Sequence, residues 1–353
     1  MLNSNQLEVL QVINTYSKEI KSEVYLVGGL LRDILLDLAA PCLDLDLIVL
    51  GDAGNLAEQV QTTVGGKVRF FPEFLTAKLV DERFGNIDFT SCRKEVYICP
   101  GALPVVTQSD LKSDLARRDF TINALAVKLD DFIFWSKSKS DLINLKTKIV
   151  DQFNGLSDLC NREIKILHSK SFVDDPTRIF RAIKYSAKVK GNLSDETEKL
   201  LISALLSKVF DTISANRIVT ELKKIFQEDY FFECFELLEK YKVLNGIFSI
   251  SDWTALLLQL KRLSSYNSQI SSNDRFSTGL AVLLLNTKVE LRLSTMSKLG
   301  YSNKKAQTIL ERIERLETTT NLAEFLDFEV CVLASIKSLP ALDKELKNRN
   351  LKK

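Results

Sequence analysis

The sequence predicts an α+β protein: a small mixed sheet with packed helices over residues 1–150, followed by an all-helical remainder. Three observations carry this. Short, alternating, β-rich runs cluster before residue 150. Beyond it, leucine, isoleucine, lysine and glutamate dominate and the apolar spacing becomes helical. Only 13 glycines and 6 prolines occur in 353 residues, too few for a turn-dense all-β or collagen-like chain. With 45% hydrophobic and 27% charged residues, the composition can supply two or three domains with sizeable cores.

In chain order, residues 5–20 predict an amphipathic helix. EVYLV (23–27) predicts a strand, Gly28-Gly29 a turn, and LLRDILLDL a helix. LDLDLIVL (43–50) alternates as a strand does. Residues 55–64 follow as a helix that Gly65-Gly66 ends. Three further strands are expected near 67–71, 77–81 and 86–92. Prolines and polar residues predict a long loop from Glu95 to Leu115. FTINALAVKL then suggests another strand, and IFW after Asp130-Asp131 the start of one more. Helices follow, the best defined being DPTRIFRAIKYSAKVK, with Pro176 early and Gly191 after its end. Residues 215–245 and 252–265 predict others. No internal repeat is visible.

The net charge of +2 is uninformative, but its distribution is not. Residues 161–226 carry 13 basic against 8 acidic side chains and residues 251–353 carry 16 against 11, leaving the rest net acidic. This suits an enzyme that gathers cations at one site and a polyanion along another. Solvated helix faces explain the basic excess equally well. A single histidine, His168, argues against His-ligated metal, and six cysteines without a CxxC pair argue against a zinc ribbon or redox pair. The N-terminus resembles neither a secretory nor a transit peptide, and no apolar run approaches a membrane span. A soluble, cytoplasmic protein with reduced cysteines is expected.

Several residue sets point to chemistry. Asp44 and Asp46, two apart on a strand, project to one face. Two adjacent carboxylates repel unless a cation lies between them, which makes a Mg²⁺ site, and Asp88 could add a third. An exposed strand face looks the same. Gly28-Gly29, at a strand-to-helix turn, lets backbone approach a phosphate, and Arg32 lies one turn on. Arg117-Arg118-Asp119 precedes a strand; guanidinium groups bind triphosphate oxygens bidentately, and Asp119 or Asn123 could hold ribose hydroxyls. Asp175, Arg178, Arg181 and Lys184 are spaced by three on one helix face. A carboxylate acceptor beside a guanidinium donor can match the Watson–Crick edge of a base. Asp before proline is also a good N-cap, so the cap is assigned to Asp174 and base reading to Asp175.

GGLLRD, DLD, RRDFTINALA and DDPTRIFRA, in this order and at these separations, closely resemble the class II tRNA nucleotidyltransferase and bacterial poly(A) polymerase family. The resemblance covers about residues 20–226, including GLSDLCNR (155–162) and Arg217 with Glu221 in ANRIVTELKKI. The C-terminal third carries no recognisable motif.

The resemblance implies a polymerase-β-like nucleotidyltransferase head (1–150), a helical neck that recognises the base (151–235) and a helical body and tail that binds tRNA (236–353). Asp44 and Asp46 would hold Mg²⁺, with Asp88 among the catalytic carboxylates. Gly28, Gly29, Arg32, Arg117, Arg118, Asp119 and Asn123 would bind the nucleotide. Asp175 and Arg178 would template the base of CTP or ATP, with Arg181 and Lys184 near the phosphates. Asp174 stands where the family usually has Glu, and Lys184 where it often has Arg. The implied activity is addition of CCA, or part of it, to the tRNA acceptor arm, releasing pyrophosphate. The Glu95–Leu115 segment occupies the place of the family's flexible loop. Its full length disfavours an enzyme adding CC alone. Poly(A) polymerase, a non-catalytic RNA-binding relative and a small-molecule nucleotidyltransferase are the rivals. The oligomeric state is left open.

Overall fold

The computed structural model describes residues 2–38, 44–138, 141–318 and 332. The chain forms two compact units. One comprises residues up to Asp174 together with Gly191–Glu198; the other comprises Asp175–Lys190 and the described residues from Lys199 onward.

The first unit opens with α1 (Ser4–Glu19), whose start is a capping box. The Asn3 side chain accepts from the Gln6 amide at 2.8 Å, and the Gln6 side chain accepts from the Asn3 amide at 2.9 Å. The order continues β1 (Glu23–Val27), α2 (Gly29–Leu35), β2 (Asp44–Leu50), α3 (Ala53–Val64), β3 (Lys67–Phe71), β4 (Thr76–Asp81), β5 (Gly85–Ser91), β6 (Arg93–Val96), β7 (Val105–Gln108), α4 (Leu111–Ala116), β8 (Leu125–Lys128), α5 (Leu129–Ser138), α6 (Leu142–Lys146), β9 (Ile149–Asp151), α7 (Gly155–Cys160), β10 (Glu163–Ile164) and α8 (Ser171–Asp174).

Seven strands make a mixed sheet in the order β3-β4-β5-β2-β1-β8-β9; the β2–β5 pair is parallel and the others antiparallel. The side-chain period of two divides its faces. Leu45, Leu47 and Val49 of β2, Ile87 and Phe89 of β5, and Ala77 and Leu79 of β4 are buried on the face covered by α1 and α3. On the other face, Val27, Ile48 and Ala126 pack with Cys92, Leu115 and Ala124 under Phe153 and Leu167. That apolar cover lies over the β2-β1-β8 end. Toward β5, β4 and β3 the same face carries the polar residues Asp44, Asp46, Asn86, Asp88 and Lys78, all at least partly exposed.

Three expectations are corrected here. IFW is not a strand: Leu129, Phe132 and Ile133 bury one helical stripe of α5, and Asp130 and Asp131 occupy its first turn, where acidic groups favour a helix. FTINALAVKL is not one strand: Thr121–Asn123 form a 3₁₀ turn before β8. The Glu95–Leu115 segment is mostly regular. β6 and β7 pair antiparallel, and α4 starts at Asp110, whose carboxylate accepts from the Ser113 amide at 2.7 Å. The segment between the two strands shrinks to Tyr97–Pro104, and its Gly101 amide donates to the Val173 carbonyl at 3.2 Å.

The second unit contains α9 (Thr177–Val189), most of α10 (Asp195–Leu206), α11 (Ala215–Gln227), α12 (Phe231–Lys240), α13 (Trp253–Ser264), α14 (Ser272–Leu285), α15 (Arg292–Lys298) and α16 (Asn303–Thr318). The short β11 (Asn192–Leu193), which belongs to the first unit, pairs in parallel with β10. Phe226 of α11 centres the helical core, with ring contacts to Phe231, Phe235 and Phe276. Among the described residues, no helix is long and apolar enough to cross a membrane.

GLSDLCNR has a packing role in this fold. A Cβ on Gly155 would lie 2.3 Å from the Thr121 carbonyl oxygen, and Asp158 accepts the Thr121 hydroxyl at 2.6 Å in a buried contact. Gly155→Ala forces backbone apart, so it should destabilise the first unit by about 1–3 kcal/mol, measured as a lower urea midpoint against wild type.

Candidate active site

Asp44 and Asp46 stand on the open face of the sheet, as the strand period predicts. The parallel register sets Asp46 opposite Asp88 and Asp44 opposite Asn86. Asn86 donates its amide to Asp44 at 2.7 Å, and Lys78 of β4 reaches Asp88 at 3.0 Å. Burial, reinforced by the charges of Asp46 and Asp44, pushes the Asp88 carboxyl above its ordinary pKa, against the pull of Lys78. Among the described residues no group of three or more His, Cys, Asp or Glu is placed to hold a metal. The chain therefore offers the Asp44–Asp46 pair, with Asp88 turned to Lys78. A pair fits Mg²⁺, which is commonly bound by one or two carboxylates with water and substrate phosphates completing its shell.

Gly28 is required by the same carboxylates. Its φ of +79° lies in the left-handed range, and a Cβ there would sit 2.8 Å from Asp46 Oδ2. The expected helix after the turn is shorter than LLRDILLDL suggested. α2 has seven residues, less than two turns, so its dipole contributes little and Arg32 supplies the positive charge. Arg32 is 2% exposed. Its Nε and Nη2 donate to Asp33 at 2.8 and 2.6 Å, and its Nη1 donates to Asn123 Oδ1 at 2.8 Å. Asn123 in turn donates to Asp119 at 3.1 Å, and Asp119 accepts the Phe120 amide at 2.9 Å. Two motifs 90 residues apart are thus one hydrogen-bonded chain.

The two arginines of RRD are not equivalent. Arg117 donates to Glu95 at 2.9 Å and to the fully buried Asp114 at 3.0 Å. Arg93 also meets Glu95, at 2.8 Å. This cluster ties the β6–β7 hairpin to α4, so Arg117 is committed to structure. Arg118 touches Asp114 at 3.5 Å, and its buried Nε has no hydrogen-bond partner. Burial lowers its pKa, while Asp114 and then Asp46 oppose that shift. A largely buried, under-bonded guanidinium is ready for an anion.

In the second unit, Arg178 is buried on α9, and Arg181 and Lys184 flank the Tyr185 ring at 5.5 and 5.4 Å. Lys184 also pairs with Glu228 at 3.5 Å. The cap assignment is corrected: Pro176 holds the N-cap position of α9 with no side-chain cap, and Asp175, not Asp174, accepts the Thr177 amide, at 3.0 Å. Asp175 also takes the Thr177 hydroxyl at 2.6 Å and Arg217 at 2.7 Å. Asp174 instead lies 3.9 Å from His168. Glu221 pairs with Lys224 at 2.6 Å. Sequence reasoning missed Asn86, Lys78, Glu95 and Asp114. The first two are visible only from strand register, and the last two only from the folded hairpin.

A mixed sheet that carries two carboxylates on one open strand face, one of them against a glycine turn, marks a nucleotidyltransferase head. Comparison with known proteins agrees. The family described as poly A polymerase head domain matches residues 24–165, and the probable RNA and SrmB-binding site of polymerase A matches residues 202–252. An A-adding tRNA nucleotidyltransferase of Aquifex aeolicus is 37% identical over 267 residues, covering 74% of this chain and 30% of that protein. One from Halalkalibacterium halodurans is 33% identical, covering 74% of this chain and 58% of that protein. The chain thus spans well under two thirds of these relatives' lengths. A crystal structure of a tRNA nucleotidyltransferase with a primer tRNA and an incoming ATP analogue superposes with a TM-score of 0.72 at 28% identity, covering 96% of this chain and 99% of that one. The chain belongs to the class II tRNA nucleotidyltransferase and poly(A) polymerase family.

The Gly28 contact gives a direct test. Gly28→Ala should displace the Asp46 carboxylate and weaken divalent-cation binding at least about tenfold, read by Mn²⁺ titration in electron paramagnetic resonance.

Proposed function

We propose that this chain is a template-independent RNA nucleotidyltransferase that adds all or part of CCA to tRNA 3′ ends from CTP and ATP. The observation that carries the reading is the Asp44–Asp46 pair on one open strand face, with Asp46 set against the Gly28 turn. Three relatives at 33–39% identity are A-adding enzymes, which favours the terminal A as the step catalysed.

In this reading the RNA 3′-hydroxyl attacks the α-phosphate, a phosphodiester forms and pyrophosphate leaves. Mg²⁺ on Asp44 and Asp46 would supply charge neutralisation at the attacking and leaving oxygens. Arg118 binds the triphosphate. Arg32 is held by Asn123 and Asp33 and keeps the turn positively charged, so acceleration comes from positioning and electrostatics. Asp175, fixed by Arg217 and Thr177, and Arg178 read the base; Arg181 and Lys184 line a partly exposed stripe of α9. Basic helices of the second unit hold the acceptor arm through its phosphates, with salt-dependent affinity.

The test is incorporation of labelled CTP and ATP with Mg²⁺ into tRNAs ending before CCA, after C and after CC. CCA followed by a stop indicates a complete CCA-adding enzyme. ATP addition to the CC-ending tRNA alone indicates the A-adding specialist, and long A tails indicate poly(A) polymerase. Incorporation by no primer would overturn the reading. Asp44→Ala and Asp46→Ala should lower the rate by more than about a thousandfold with tRNA affinity nearly unchanged; retained activity would remove them as ligands. Arg178→Ala should shift the CTP/ATP preference by about tenfold or more, checked by competition between the two nucleotides.

A further inference from the structure

The open face of the sheet is divided by charge. Crossing it from β2, successive strands place Asp46, Asp88, Lys78 and Arg69 in one register row. The neighbouring row runs Asp44, Asn86, Val80 and Lys67. The β2–β5 half is therefore acidic and the β4–β3 half basic. Lys67 and Arg69 are exposed, and neither has an ion-pair partner among the described residues. Phe71, two residues further along β3, lies on the same face and is 38% exposed. Phe70 turns to the other face, where its ring lies 3.6 Å from the Cβ position of Gly54 on α3.

The carboxylates have two different flanks. On the β1 side is the Gly28 turn, which abuts Asp46 Oδ2. On the β5 side are Asp88, Lys78 and then the β3 edge. Phosphoryl transfer is in line, with attacking and leaving oxygens on opposite sides of the reacting phosphorus. If pyrophosphate departs toward the Gly28 turn, an attacking hydroxyl in line with it comes from the β5 side. The strand carrying that hydroxyl then runs over β4 and β3.

We propose that Lys67, Arg69 and Phe71 of β3 form a track for the 3′-terminal single strand of the RNA substrate. The two cations contact its phosphates and the phenyl ring stacks on a base. This rests on the nucleotidyltransferase reading and extends it by saying from which side the RNA enters. Arg69 lies three strand spacings from Asp46, about 14 Å, a distance that a few nucleotides of single strand span. Stacking on an exposed aromatic beside cations is the general chemistry of single-strand binding and does not depend on sequence.

The experiment compares the wild-type chain with Lys67→Ala/Arg69→Ala and with Phe71→Ala. The probe is a fluorescein-labelled tRNA in whichever 3′ state the wild type extends. The double variant should raise both Kd and KM for tRNA about tenfold and lower the salt slope of binding by about two. KM for the nucleotide and kcat at saturating tRNA should stay within about twofold. Phe71→Ala should weaken tRNA binding without changing the salt slope. These residues are exposed on an edge strand, so thermal midpoints should hold and confirm folding. Unchanged tRNA affinity and slope in the double variant would overturn the proposal and leave the charges as protection of the sheet edge. A raised KM for the nucleotide with tRNA binding intact would also overturn it, because the triphosphate would then lie on this flank. A wild type that extends no tRNA would remove the underlying reading instead, and this inference with it.

Discussion

Like charge concentrated on one sheet face is the constraint around which the first unit is organised. Asp44, Asp46 and Asp88 occupy adjacent positions on two paired strands, and burial, with the charges of Asp46 and Asp44 added to it, raises the Asp88 pKa. Lys78 neutralises one of them, Asn86 fixes another, and Gly28 leaves room for the third. Local charge is thus held in place and only partly cancelled. That is the condition in which a carboxylate pair binds a divalent cation strongly.

Buried polar chains give this arrangement its rigidity. Arg32, Asn123 and Asp119 are each at least nine-tenths buried and bonded in sequence, and Thr121 is joined to Asp158 in the same region. Removing one member strands the others away from water, so such networks are costly to break and specify one geometry. A second cluster, Arg93–Glu95–Arg117–Asp114, anchors the base of the β6–β7 hairpin beside Arg118. The hairpin tip is apolar and open, with Ile98 79% and Leu103 67% exposed.

The helical unit works by a different device. α9 buries most of one side, including Arg178, and sets Arg181, Lys184 and Tyr185 along a partly exposed stripe. Arg217 of α11 reaches Asp175 just ahead of α9, so the start of that helix is fixed by a neighbour as well as by its own turn. Three hydrogen bonds, from the Thr177 amide, the Thr177 hydroxyl and Arg217, converge on one Asp175 carboxylate oxygen and restrict its rotation.

Much of this was legible in the sequence because it follows from local periodicity. The strand period of two puts Asp44 and Asp46 on one face whatever the rest of the chain does. The expected alignment of Asp175, Arg178, Arg181 and Lys184 on one helix face is corrected: Asp175 precedes α9, and Arg178 is buried while Arg181 and Lys184 line a partly exposed stripe, because steps of three drift around a helix of 3.6 residues per turn. The ordered motifs identified the family. Residues 39–43, just before that strand, lie outside the described residues. What the sequence alone could not decide depended on partners distant along the chain. Arg117 and Arg118 are chemically identical neighbours, and only the fold commits one to Glu95 and Asp114 while leaving the buried Nε of the other without a hydrogen-bond partner. Asp174 and Asp175 differ likewise, because Arg217 and Thr177 reach one and His168 the other. Lys78, Asn86 and Arg69 joined the carboxylate face through strand register. Register is set by which faces are buried across the whole sheet, not by any single segment.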